Sequence, residues 1–106
     1  MSIAALTDRE IDALVAERIF GIRNHNLRNH KGDTSAHIGH FSTNIGSAFL
    51  VVERMREKGW EVVICASRGK WDVTFGRDQD DAQAYGDTAP RAICLAALSA
   101  MNGGDA

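Results

Sequence analysis

The sequence predicts an α/β domain of the α+β kind, a small antiparallel sheet sandwiched by helices in the order α-(loop)-α-β-β-α. Three observations predict it. Ser42 to Glu57 carries apolar residues at three-and-four spacing. Trp60 to Phe75 alternates about Ser67-Arg68-Gly69, and Ala89 to Met101 is apolar or small almost throughout.

Helix 1 is expected near residues 8–21. Thr7-Asp8-Arg9-Glu10 is a capping-box pattern, in which hydroxyl and carboxylate each satisfy a backbone donor of the other residue. Ile11, Leu14, Val15, Ile19 and Ile22 form its apolar stripe, with Asp12, Glu17 and Arg18 turned largely away, and Gly21 as its stop. The next helix is expected near 43–58, capped by Ser42 or Thr43, with Ile45, Ala48, Phe49, Val52 and Met55 inward. Gly59 suits its left-handed C′ position, and Lys58 suits the negative end of the helix dipole.

The hairpin pairs Trp60–Ala66 with Lys70–Phe75. In the first strand one face is wholly apolar (Trp60, Val62, Ile64, Ala66) and the other, with Val63 and Cys65, is partly so; both faces are expected to be covered. The second strand has a buried face of Trp71, Val73 and Phe75 and a wetter one of Lys70, Asp72 and Thr74. Ala82 to Tyr85 reads as a short edge strand or a loop. The last helix, near 88–101 after a cap at Asp87 or Thr88, has Pro90 in its first turn, where a missing N–H costs nothing. Its nearly all-round apolar surface makes it either the central core helix or a face that meets another chain.

The 106 residues fit one domain, 1–106. With 44% hydrophobic and 25% charged residues the chain has the composition of a soluble globular protein, and a net charge of −2 singles out no partner. It has no apolar run of membrane-spanning length, and Met1 to Glu10 lacks the form of a secretory signal, so no membrane association is expected and the cytoplasm is the expected location. Cys65 and Cys94 lack C-x-x-C spacing and read as two buried thiols.

Residues 23–41 break the pattern. This long His- and Asn-rich stretch holds all four histidines, and loops of such length in small domains tend to be functional. His25, His30, His37 and His40, with Asp33, offer ligands to a metal such as zinc, but the spacing matches no zinc pattern and no Cys accompanies them, so no metal and no cofactor is assigned. Arg23, His25, Arg28, His30 and Lys31 form a basic patch suited to an acidic protein surface or to phosphates. Asp78, Asp80 and Asp81 form an opposite patch that lacks the Gly and distal Glu of a calcium loop. These eight residues are the candidate partner-binding set.

No catalytic residue is assigned. There is no G-x-S-x-G, phosphate loop or H-E-x-x-H, and Thr7, Ser42 and Ser67 read as caps or turn residues. The order of helix 42–58, two or three strands and a last helix matches a double-stranded-RNA-binding domain, but that module needs lysines where this helix offers only Arg91.

Several blocks together resemble the phage ABA sandwich family: Thr7 to Ala16, Phe41-Ser42-Thr43-Asn44-Ile45, Val51-Val52-Glu53 leading to Lys58-Gly59-Trp60, and Asp87 to Leu98. The resemblance covers roughly residues 7–22 and 41–101 and departs over 23–40, where relatives tend to carry a Trp and a Pro/Gly turn. It implies a sheet between helical layers and a phage or prophage context, and supplies no chemistry. Together these readings lead to a small non-catalytic phage protein, an inhibitor or adaptor binding a host or phage protein, with an anti-CRISPR role against a CRISPR effector complex as the narrowest expectation. A nucleic-acid or nucleotide-binding module and a metal-binding histidine loop are the alternatives, and a homodimer is a further expected partner state.

Overall fold

The computed structural model describes residues 6–21 and 40–103, and in them three helices and a three-stranded antiparallel sheet follow the order α-α-β-β-β-α. The α+β class is as the sequence predicts, with one strand more.

α1 (Asp8–Arg18) starts on the predicted capping box: Thr7 N donates to Glu10 Oε1 at 2.8 Å and Glu10 N to Thr7 Oγ1 at 3.2 Å. It ends three residues before Gly21, whose φ of +75° carries the chain out of the helix. Ile11, Val15, Ala16 and Ile19 are buried, and so is Asp12, which the periodicity had turned outward. The cause is Ser42. Its backbone N–H donates to Asp12 Oδ1 at 2.8 Å and its hydroxyl to the Asp8 carbonyl at 3.2 Å, which locks the segment before the next helix onto α1.

Ser42 is therefore occupied and does not cap α2 (Ile45–Glu57). Asn44 does, accepting from Ser47 N at 2.9 Å. Ala48, Val51, Val52 and Met55 face the core, so the buried stripe is rotated from the expected one: Val51 is inside, while Ile45 and Phe49 are about half exposed (50% and 52%). Gly59 takes φ +96° at the expected C′ position.

β1 (Glu61–Ser67) and β2 (Lys70–Arg77) pair from Glu61↔Gly76 to Ser67↔Lys70. The turn between them has two residues, Arg68 and Gly69, with φ of +53° and +78°; positive φ at both positions is the I′ geometry that matches strand twist. β3 (Asp80–Gly86) is a full strand, paired with β2 from Arg77↔Asp80 to Trp71↔Gly86. Two hairpin turns hold the sheet in the simple order β1-β2-β3.

α3 (Ala89–Gly103) is the central core helix of the sequence alternatives: Ala92 to Leu98 are all buried within this one chain. It packs on β2 and β3, and α1 and α2 pack on it in turn, α2 also meeting β1. Its alanines allow close approach: a Cβ on Gly86 would stand 2.8 Å from Ala92 N. Val73 and Phe75 complete the core from the sheet side.

The other side of the sheet is open among the described residues. Val63 is 59% exposed and Tyr85 58%, and Cys65 is exposed, so the expected cover on both faces of β1 and a buried Cys65 do not hold. Alternation alone misled here, because an apolar side chain at an outward position looks like core whether or not another layer lies above it.

Candidate surfaces: an acidic turn and an open sheet face

Arg23, His25, Arg28, His30 and Lys31 lie outside the described residues, as do His37 and Asp33. His40 is exposed, and its carbonyl accepts from Thr43 N and Asn44 N. Asp78 sits in the β2–β3 turn with φ +54°, a conformation that Asp tolerates better than most residues. Asp80 and Asp81 open β3, and all three carboxylates are exposed.

The acidic turn is not an isolated patch of one sign. Asp80 and Asp81 line a hollow of about 470 Å³ together with Lys58, Trp60, Arg77 and Met101, so cations and carboxylates face the same space. Arg77 roofs the Trp60 ring at 4.3 Å and donates to the Lys58 carbonyl at 3.3 Å, where a cation meets the negative end of α2. The Trp60 indole N–H is buried and finds no acceptor among the described residues. Among the described residues no group of three His, Cys, Asp or Glu side chains could hold a metal ion.

The open sheet face is the surface that the sequence did not single out. Register sets its rows: Cys65 beside Asp72 beside Tyr85, then Val63 beside Thr74 beside Gln83, then Glu61 beside Gly76 beside Asp81. Gln83 Nε2 donates to both Asp72 oxygens at 2.9 and 3.0 Å, which fixes one polar pair among neutral neighbours. Lys70 and Asp87 pair at 3.2 Å at one end, and Arg68, Lys70, Asp72 and Tyr85 border a shallow hollow of about 440 Å³ there. The only sequence signal for this face was the outward phase of Val63, Cys65 and Tyr85.

Polar groups at the start of α3 serve the scaffold instead. Arg91 at the start of α3 reaches Asp8 at 2.6 Å and the Leu6 carbonyl at 2.7 Å, tying α3 to the entry of α1. Cys94 is buried beneath them; burial raises its thiol pKa far above the ordinary value, Asp12 and Asp8 raise it further, and Arg91 partly offsets them.

No helix among the described residues is long and apolar enough to cross a membrane. No curated protein matches the chain in sequence. The chain is similar to a phage protein from Bacillus cereus ATCC 14579 of known crystal structure, with 28% identity and a TM-score of 0.73, the match covering 94% of this chain and 97% of that one. The model of the phage ABA sandwich domain matches residues 13–98, from within α1 through α2 and the whole sheet to within α3, and on that match the chain belongs to the phage ABA sandwich domain family.

Proposed function

We propose that this small phage-family protein acts by occupancy, as a non-catalytic inhibitor or adaptor that docks on a host or phage protein. The observation that carries this reading is the open sheet face, where Val63, Cys65 and Tyr85 stand in solvent on a rigid hydrogen-bonded platform. Exposed apolar area of this kind gains free energy when a partner covers it. The charged ends, Glu61 and Asp81 on one side and Arg68 and Lys70 on the other, supply orientation.

The cationic side chains of Arg23, Arg28 and Lys31, with His25 and His30, add steering toward an acidic partner surface in this reading, and Asp78, Asp80 and Asp81 add the opposite charge at the turn. An anti-defence role, such as blocking a CRISPR effector complex, is the narrower form of the proposal and rests on the phage-family context alone.

Nucleic-acid binding is the rival. The α-β-β-β-α order from α2 to α3 favours it, but Arg91, at the helix start that would face phosphates, is engaged by Asp8 and Leu6. Capture of partners from bacterial lysate, with and without nuclease, separates the two. A protein retained after nuclease treatment supports the inhibitor or adaptor reading. A capture that vanishes with nuclease and weakens steeply with salt overturns it. Stoichiometric metal found by elemental analysis, and lost on His37→Ala/His40→Ala, would move the function to the histidine stretch.

A further inference from the structure

Strand β1 is an edge of the sheet among the described residues, and its outward backbone groups can be placed. A two-residue I′ turn closes on a hydrogen-bonded pair, here Ser67 with Lys70, and pairing alternates along an antiparallel ladder. Glu61, Val63, Cys65 and Ser67 therefore turn their N–H and C=O groups toward β2. Val62, Ile64 and Ala66 turn theirs outward, unused by the sheet.

Natural edges are blunted by charge, proline or bulges. β1 has none of these between Val62 and Ala66: the run is Val-Val-Ile-Cys-Ala, seven residues long with its flanks and in unbroken register with β2. Its charges sit at the ends, Glu61 before the run and Arg68 after it. β3, the other edge, carries Asp80 and Asp81 at one end and is followed by Asp87 at the other. Antiparallel pairing of two β3 edges would set acid against acid, whereas two β1 edges set each Glu61 near the Arg68 of the other.

We propose that two copies of this chain pair through β1, antiparallel about a two-fold axis at Ile64, so that the two three-stranded sheets become one continuous sheet. In this register Ile64 faces the second copy's Ile64 and Val62 faces its Ala66, and each of these pairs exchanges both backbone hydrogen bonds. Every outward group of the edge is then used. Register and face agree as well, since residues opposite one another share a face: Val63 meets the second copy's Cys65 on the open side, and the half-buried Val62 and Ile64 gain cover on the core side. The interface is isologous and closes on itself, which limits assembly to a dimer. The dimer covers Val63 and Cys65, which the docking reading above also uses, and leaves Gln83 and Tyr85 on β3, at the far edge of the sheet, open to a further partner.

The test uses the full chain. Sedimentation from low micromolar to several hundred micromolar is expected to show monomer passing to dimer, and Ala66→Pro, which removes one outward donor per copy and none directed at β2, is expected to weaken the dimer by an order of magnitude or more with an unchanged circular dichroism spectrum. A second variant fixes the register and stands even if the proline chain does not fold. Val63→Cys places a thiol opposite the second copy's Cys65 at a non-hydrogen-bonded pair, with Cα atoms about 4.5 Å apart. Oxidised glutathione should therefore link it into a covalent dimer, and Val63→Cys/Cys65→Ser should not link. A monomer at every concentration overturns the proposal. So does a dimer indifferent to Ala66→Pro in a folded chain, or a Val63→Cys chain that stays unlinked or links equally well without Cys65.

Discussion

The Ser42 N–H donates to the Asp12 carboxylate at 2.8 Å across thirty positions of sequence, and both residues are buried, Asp12 at 6% exposure. This bond joins α1 to the segment that launches α2. Asp12→Ala would leave the Ser42 donor buried and unpaired, at a cost of about 2 kcal/mol. Asp12→Asn, which keeps an oxygen in place, should lose less. Urea midpoints of the two variants should fall in that order below wild type, and equal midpoints for Asp12→Ala and wild type would show that the bond contributes nothing.

The seam between β3 and α3 leaves no room at Gly86, where a Cβ would press on the backbone of Ala92 at 2.8 and 3.1 Å. Gly86→Ala should therefore destabilise by about 1–3 kcal/mol, since a helix backbone cannot yield as a side chain can. Gly46→Ala is the contrast. Its new methyl would meet only Asn44 Oδ1, the oxygen that caps α2, at 3.2 Å; the shift this forces weakens the cap while the helix propensity of Ala, up to about 1 kcal/mol, offsets the loss, so thermal unfolding should stay close to wild type.

The two thiols should behave differently. Cys65 is exposed and should react promptly with a thiol reagent in the native protein, while the buried Cys94 should react only on unfolding. The raised pKa of Cys94 also sets a pH dependence. In the unfolded chain this thiol ionises above about pH 8.5, whereas in the fold it stays neutral, so its contribution is intact below that pH and is lost as pH rises. Denaturant midpoints of wild type should fall more steeply above about pH 9 than those of Cys94→Ala. Parallel curves would contradict the linkage.

Local signals carried most of the fold. The capping box of Thr7 and Glu10, the glycine at 59 and the apolar surface of α3 each act within a turn or two of helix, and each stands where the sequence places it. What failed was long-range. Nothing near Asp12 announces Ser42 as its partner, and once Ser42 is taken, Asn44 inherits the cap of α2 and the buried stripe turns to favour Val51 over Phe49. The open face of the sheet failed for a related reason: Val63 and Cys65 have the chemistry of core residues, and whether a layer lies above them is a property of the packing of the whole chain. Of the candidate partner-binding residues, only Asp78, Asp80 and Asp81 fall within the described part, and Asp80 and Asp81 share their hollow with Lys58 and Arg77, which the sequence did not place beside them.

The central claim is that the open sheet face binds a protein. The most direct measurement is affinity capture from nuclease-treated bacterial lysate with wild type, with Gln83→Lys/Tyr85→Lys on the face, and with Arg28→Glu/Lys31→Glu. One protein is expected to be retained in stoichiometric amount by wild type and lost by Gln83→Lys/Tyr85→Lys, whose stability in urea stays within about 0.5 kcal/mol of wild type because both side chains are exposed. Equal capture by wild type and the face variant, or no protein retained by wild type, would contradict it.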